Sequence, residues 1–295
     1  MNKGIIKAHL ALLIANIIYA LNYGWAKDVM DGEHVQPFAF ILIRVVGASI
    51  LFWGLAMISF EKVERKDMIK MMFCGLFGVA ANQLMFFKGL DETTRIHASI
   101  IMVTSPVIVA LLSTFILKER FSIFRLLGIA LGLGGACFLI LHNNPIQSQS
   151  TLYGDMLVLL NATSYGLFLV MVKPLMSKYA PLTVIRWVFT FGLLFVIPFG
   201  LPELDKINFE MPDDIILKIG FVVVFTTFLA YLLNVYGIKR VSPTVVSSYI
   251  YLQPILTTLI AVLSNTESID EIIVLSSMII FVGVYLVSIP SSRKT

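Results

Sequence analysis

Charge is scarce in this sequence. Only 14% of its 295 residues are Asp, Glu, Lys or Arg, while 58% are hydrophobic; a soluble domain carries about 25% charged residues. With a mean hydropathy of +0.90, a soluble core of this size could not hide so much apolar surface, which makes lipid the expected solvent. Cysteine is nearly absent. Cys74 and Cys137 both lie in apolar runs, which speaks against a disulfide framework. The four histidines, His9, His34, His97 and His142, are scattered, with no His-Glu-x-x-His motif and no acidic cluster inside an apolar segment. Metal-dependent chemistry in the membrane therefore has no visible ligand set, and no metal or cofactor is expected. No low-complexity run or soluble domain is visible, which disfavours a sensor or a scaffold.

What the chain does have is long apolar segments, at about 8–27, 37–59, 69–88, 96–117, 123–141, 154–174, 181–201, 215–237, 243–264 and 271–290. A helical span needs roughly 20 apolar residues, so these predict ten membrane helices. Lys3 and Lys7 before the first segment resemble a signal peptide, but the run from Ala8 to Ala26 is too long for one and lacks an Ala-x-Ala-like end; it is read as a retained first span. The basic residues fix a direction. With a cytoplasmic N-terminus, the external loops hold five of them (Lys27, Lys88, Arg95, Lys206, Lys218), and the cytoplasmic loops and ends hold fifteen. The alternation holds through every loop only for ten spans. The pI near 9.0 is thus a matter of topology, and no nucleic-acid partner is implied.

The two halves of the chain match each other. A shift of 148 residues pairs Phe77 with Phe225, Leu84 with Leu232, Gly89 with Gly237, Ser99 with Ser247, Pro106 with Pro254, Glu119 with Glu267 and Gly135 with Gly283. A shift of 146 pairs Tyr19 with Tyr165 and Lys27 with Lys173, and a shift of 142 pairs Arg44 with Arg186. Because each half holds an odd number of spans, the second sits upside down relative to the first. The expected fold is an all-α membrane protein of two inverted five-helix repeats, residues 1–142 and 153–290, with N- and C-termini inside and a short cytoplasmic tail at 291–295. Inverted repeats of this kind are the architecture of many secondary transporters, whose substrate sits near the midplane between the halves.

Particular residues within the repeat also resemble a known family. Asn82-Gln83-Leu84 with Phe86-Phe87, Gly89-Leu90, Thr93-Thr94, Ala98-Ser99 and Ser105-Pro106 are similar to the third and fourth helices of EamA-type transporters, of the drug/metabolite transporter superfamily. Leu117-Lys118-Glu119-Arg120, then Leu127-Gly128-Ile129 and Gly132-Leu133-Gly134-Gly135, resemble the family's fifth-helix hairpin. Tyr19-Ala20-Leu21-Asn22-Tyr23 with Lys27 stands where the first-helix pattern falls, although tyrosine replaces the usual tryptophan at 19 and 165, Ala20 the usual glycine, and Ser276 another glycine. The resemblance covers essentially the whole chain in two copies. It implies a ten-helix transporter that exports or exchanges amino acids, metabolites or drugs, located in the bacterial cytoplasmic membrane.

Two arginines lie inside spans, where such a charge is costly and usually faces a cavity or a partner. Arg44 lies roughly 10 Å inside the external face and Arg186 slightly less far from the cytoplasmic face. Each has two readings: a substrate-facing cation, which for Arg44 would attract an anionic or carboxylate-bearing solute, or an interfacial arginine that snorkels or caps neighbouring carbonyls. Asn16, Tyr19 and Tyr23 on the first span and Asn161 and Tyr165 on the sixth recur at helical spacing. With Asn82, Gln83, Asn234, Tyr249 and Gln253 they either line a cavity or bond helices together. Pro106 and Pro254 bend their helices, either to shape the cavity or for packing. Glu119 and Glu267, the capping box from Ser268 to Glu271, and the stripe Gly128, Gly132 and Gly135 read as structural.

No Asp or Glu lies deep in any span. Proton-coupled carriers often place a buried carboxylate there, so facilitated transport is favoured over proton antiport; His97 or a tyrosine would otherwise have to serve. The expected partners are a small-molecule substrate and the bilayer, with monomer and homodimer both open. The alternatives are an intramembrane enzyme, which lacks midplane catalytic groups, and a channel, which lacks a filter-like loop. Within transport the resemblance implies export or exchange, and topology does not resolve exporter from importer.

Overall fold

The structure is a computed structural model that describes residues 3–31, 34–57, 61–93, 98, 101–119, 122–143, 151–208, 210–263 and 271–289. Glu267, Ser268, Arg95, His97 and residues 291–295 lie outside these residues. Helices follow one another along the chain: α1 (Lys3–Asp31), α2 (Pro37–Ala56), α3 (65–92), α4 (Ile101–Leu117), α5 (Ile123–Asn143), α6 (Leu152–Lys178), α7 (Pro181–Gly200), α8 (Asp213–Ile238), α9 (243–263) and α10 (Glu271–Ser288). No strand is present among the described residues. Seven helices are long and apolar enough to cross a membrane, and Ile101–Leu117 and Ile123–Phe138 are shorter apolar helices. The outer surface is apolar, as at Ile50, Phe115 and Leu263, each more than 60% exposed. Such a surface suits lipid and not water.

Local chemistry sets the helix ends. Proline opens α2, α7 and α9 at Pro37, Pro181 and Pro243, where its missing N–H costs nothing. Thr151 and Ser242 cap α6 and α9 by accepting the backbone N–H of Gly154 and Val245. Glu203 places a carboxylate oxygen on the N–H groups of Phe38 and Ala39, at 2.8 and 3.1 Å, where a negative charge is favoured by the helix dipole. Pro106 stands in the first turn of the regular part of α4, Ser105–Leu117, behind a turn at Thr104. Pro254 follows the 3₁₀ turn Tyr249–Tyr251 that interrupts α9. Glu119 takes Arg125 at 3.2 Å and reaches Thr244 Oγ1 at 3.5 Å, tying the α4–α5 connection to the start of α9.

Two helices carry π-helical turns: α3 over Leu76–Ala80 and α8 over Val222–Leu229. The two are repeat-mates, since 148 residues on from 76–80 is 224–228. Packing follows the same relation. α2 packs on α7, α4 on α9 and α5 on α10, each helix against its own counterpart in the other half, while α1 packs on α8 and α3 on α6 as an exchanged pair. These pairings are what a twofold relation between the halves produces.

Glycine permits the closest of these contacts. A Cβ on Gly128 would fall 2.6 Å from the Gly283 carbonyl oxygen, and one on Gly283 would fall 2.7 Å from the Gly132 nitrogen. Dispersion between closely approaching backbones drives helix association where lipid removes the hydrophobic contrast. Gly283→Val is therefore expected to separate α5 from α10 and to cost about 1–3 kcal/mol, read as a lower melting temperature of the purified protein in detergent; Gly134→Ala, whose Cβ meets nothing within 4 Å, should leave it unchanged.

Candidate functional site

A cavity of about 190 Å³ lies where the two halves meet. It is lined from α1, α2, α3 and α4 of the first half and from α6, α8 and α9 of the second; α5, α7 and α10 contribute nothing to it. Asn16, Tyr19, Arg44, Asn82, Gln83, Asn161, Tyr165, Asn234 and Gln253 all line it. Helical spacing explains the convergence, because residues three or four apart share a face. Several of these polar groups pair across helices: Gln253 Nε2 donates to Asn16 Oδ1 at 3.0 Å, Asn234 Nδ2 to the Tyr19 hydroxyl at 3.0 Å, and Asn161 Nδ2 to the Asn82 carbonyl. The cavity wall is thus also the polar seam that joins α1 to α8 and α9, and α3 to α6.

Arg44 is 6% exposed. Its Nε donates to Thr227 Oγ1 at 3.1 Å, and Thr227 donates in turn to the Val222 carbonyl at 2.8 Å. That carbonyl lies in the π-helical turn of α8. Phe40 and Phe87 stand 5.5 and 5.6 Å from the guanidinium carbon, close enough for their ring faces to favour the positive charge. Among the described residues no Asp or Glu lines the cavity.

Arg186 is placed elsewhere. It is buried at the far end of α7, donates to the Glu61 carbonyl at 3.0 Å, and lies 5.1 Å from the Trp53 ring centre. Tyr249 does not line the cavity either; its hydroxyl bonds His9 Nδ1 at 2.7 Å and links α9 to α1. The Tyr23 side chain lies outside the described residues. Among lining groups the sequence reading did not single out are Asn22, Thr226 and Tyr231. Two left a signal. Asn22 continues the spacing of three from Asn16 and Tyr19, and Tyr231 is the 148-residue mate of Gln83.

Three lining residues hold buried polar atoms with no partner among the described residues, Asn22 Oδ1, Asn161 Oδ1 and Thr226 Oγ1, while the Gln83 amide has only the Tyr231 hydroxyl within reach. Leaving such an atom unmet costs about 1–3 kcal/mol.

The two ends of the bundle differ. At the end that holds Lys70, Lys178 and Lys239, Lys173 Nζ donates to the carbonyls of Ile238 and Val241 at 2.6 and 2.7 Å, joining α6 to the end of α8. Beside it, buried Asp67 accepts from Lys178, Lys70 and the Tyr179 hydroxyl at 2.8, 3.0 and 3.0 Å. Toward the other end the cavity extends to Asn22 and Leu90. Their repeat-mates, Phe168 and Ile238, are buried away from it. The halves are alike in fold, but at the level of the cavity they are not in the same state.

Comparison with known proteins agrees with this architecture. The profile of the EamA-like transporter family matches residues 6–141 and again 152–289, and the chain belongs to that family. It is 25% identical to an uncharacterized transporter of Archaeoglobus fulgidus over 95% of this chain and 96% of that one. It is 23% identical to the uncharacterized inner membrane transporter YicL of Salmonella typhimurium over 98% and 97%. A solved crystal structure superposes with a TM-score of 0.78 at 15% identity, over 96% of this chain and 98% of the other, a likeness of fold. The chain is a multi-pass membrane protein of a transporter family.

The Thr227 hydroxyl is the described contact that orients Arg44. Thr227→Val is expected to lower the melting temperature in detergent by an amount corresponding to about 1–3 kcal/mol, whereas Thr227→Ser, which keeps the acceptor, should stay close to the parent protein.

Proposed function

We propose that this protein carries a small polar solute across the bacterial cytoplasmic membrane by alternating access, without an enzymatic step. The observation that carries this reading is the cavity shared between the two halves, with buried polar atoms that no group among the described residues meets. A channel needs a continuous polar path; in the proposed reading the Lys173 and Asp67 contacts close one end. An enzyme needs reacting groups, and the cavity offers amides, hydroxyls and one arginine.

The proposed topology is ten spans with both termini in the cytoplasm, which puts the Lys173 contacts on the cytoplasmic side and the Leu90 end outside. The structure would then correspond to an outward-facing state. Exchanging the conformations of the two halves would close the outside and open the inside. Export is the proposed direction, by analogy with the family.

Cells that lack or overproduce the protein, compared by untargeted metabolomics of medium and cytoplasm, are expected to differ in a small set of polar solutes. Identical profiles in both, with the protein present in the membrane, would defeat the proposal. For the closure, a cysteine at Asn234 in a Cys74→Ala, Cys137→Ala background should react slowly with a membrane-impermeant maleimide added from the cytoplasmic side, and several-fold faster once Lys173→Met is added. Equal rates would remove Lys173 from the closing contact.

A further inference from the structure

Among the described residues the cavity holds one fixed charge, Arg44, and no carboxylate to balance it. Arg44 uses its Nε on Thr227. A guanidinium has five N–H groups, so four remain on the two terminal nitrogens, without a protein acceptor among the described residues. The neighbouring polar groups are all neutral: the Tyr19 and Tyr231 hydroxyls and the amides of Asn16, Gln83 and Asn234. A charge buried in an apolar bundle is tolerated only when paired or solvated, and arginine cannot shed its proton to escape. Phe40 and Phe87 favour the cation but do not neutralise it.

A second observation is independent of the charge. Asn161 Oδ1 and Thr226 Oγ1, on residues 2% and 1% exposed, lack partners, as does Asn22 Oδ1; Gln83, 4% exposed, has only the Tyr231 hydroxyl within reach of its amide. The unmet atoms come from α1, α6 and α8, so they surround the space and do not mark a local packing fault. They offer two amide acceptors and one hydroxyl that can donate or accept. All are uncharged.

We propose that the solute is a small organic monoanion: a single carboxylate seated on Arg44, with uncharged hydroxyl or amide groups on its remainder meeting Gln83, Asn161 and Thr226. This deepens the transporter reading and rests on it. Carboxylate fits better than phosphate because the planar guanidinium fork matches two oxygens of one carboxylate, and because one buried cation balances one negative charge. A dianion would leave an unpaired charge inside the bundle. An amine would meet Arg44 as a like charge and find no carboxylate. Loading a monoanion brings the cavity to zero net charge, which lowers the barrier to reorientation relative to the empty, positively charged cavity. Each cycle then moves one negative charge, and an inside-negative potential drives it outward. At 100 mV the accumulation ratio of a monoanion shifts by about 50-fold.

The test uses the full-length protein reconstituted in liposomes loaded with the small-molecule extract of bacterial cells, with loss of each solute followed by mass spectrometry in both ion modes. The solutes released beyond protein-free liposomes are expected to be monocarboxylates. Their release should quicken when valinomycin and a potassium gradient set the inside negative, and should slow at least tenfold in Arg44→Gln. Arg44→Lys, which keeps the charge without the fork, should retain part of the rate and all of the dependence on potential; this separates the charge from the fold. Gln83→Leu should slow release of the hydroxylated or amidated acids more than that of plain fatty acids. Release of amines or zwitterions as fast as acids, or release indifferent to the potential, would overturn the anion assignment while leaving the transporter reading intact. Release of nothing by wild-type protein would overturn both.

Discussion

A guanidinium shielded from water inside an apolar bundle constrains everything around it. Arg44 cannot lose its proton, so the fold has to supply acceptors, ring faces and polar neighbours at the depth where it sits. Thr227 gives one acceptor, and its own hydroxyl proton is spent on the Val222 carbonyl in the π-helical turn of α8. Phe40 and Phe87 come from α2 itself and from α3. Tyr19 and Tyr231 bring hydroxyls from α1 and α8. Four helices from both halves are thereby organised about one charge.

The surrounding architecture repeats one bargain at several places. In lipid, polar groups have to be met from within the protein, so helices around the cavity meet along seams of amides and hydroxyls, beside glycine contacts such as Gly89 and Gly154 between α3 and α6. α5 and α10 hold together by the second of these devices, the Gly128, Gly132 and Gly283 contact. The α1–α8, α1–α9 and α3–α6 seams use Asn16, Asn161, Asn234 and Gln253. A seam of hydrogen bonds can exchange its partners with a polar visitor, whereas a glycine contact cannot.

Much of this was legible in the sequence. Composition set the solvent, and the 148-residue offset related the halves; the orientation drawn from the loop charges is part of the proposal. The helical spacing of Asn16 and Tyr19, and of Asn161 and Tyr165, put them on faces that converge. Other features were hidden for identifiable reasons. Arg44 and Arg186 are the same residue in equivalent helices, and what separates them is the Glu61 carbonyl, delivered by a connection whose path no periodicity reveals. Tyr249 turns from the cavity to His9 because the 3₁₀ turn at Tyr249–Tyr251 winds by about 120° per residue and not 100°. The π-helical turns leave no pattern in hydropathy at all.

Those turns have a consequence for how such a cavity can change over time. A π turn accommodates one residue more than the α-helical turn it replaces, and each residue advances the helix by about 100°. Asn82, Gln83 and Phe86 all follow the π turn of α3, and Tyr231 and Asn234 follow that of α8. The identity of the residues facing the solute is therefore set by a length in the backbone upstream, not only by which side chains are present. A lineage that gained or lost one residue at 76–80 or 222–229 without resetting the turn would rotate the rest of that helix by about 100°, its packing faces together with the cavity face. In a fold built of two copies, the two turns are separate dials, and each half can be re-aimed without the other.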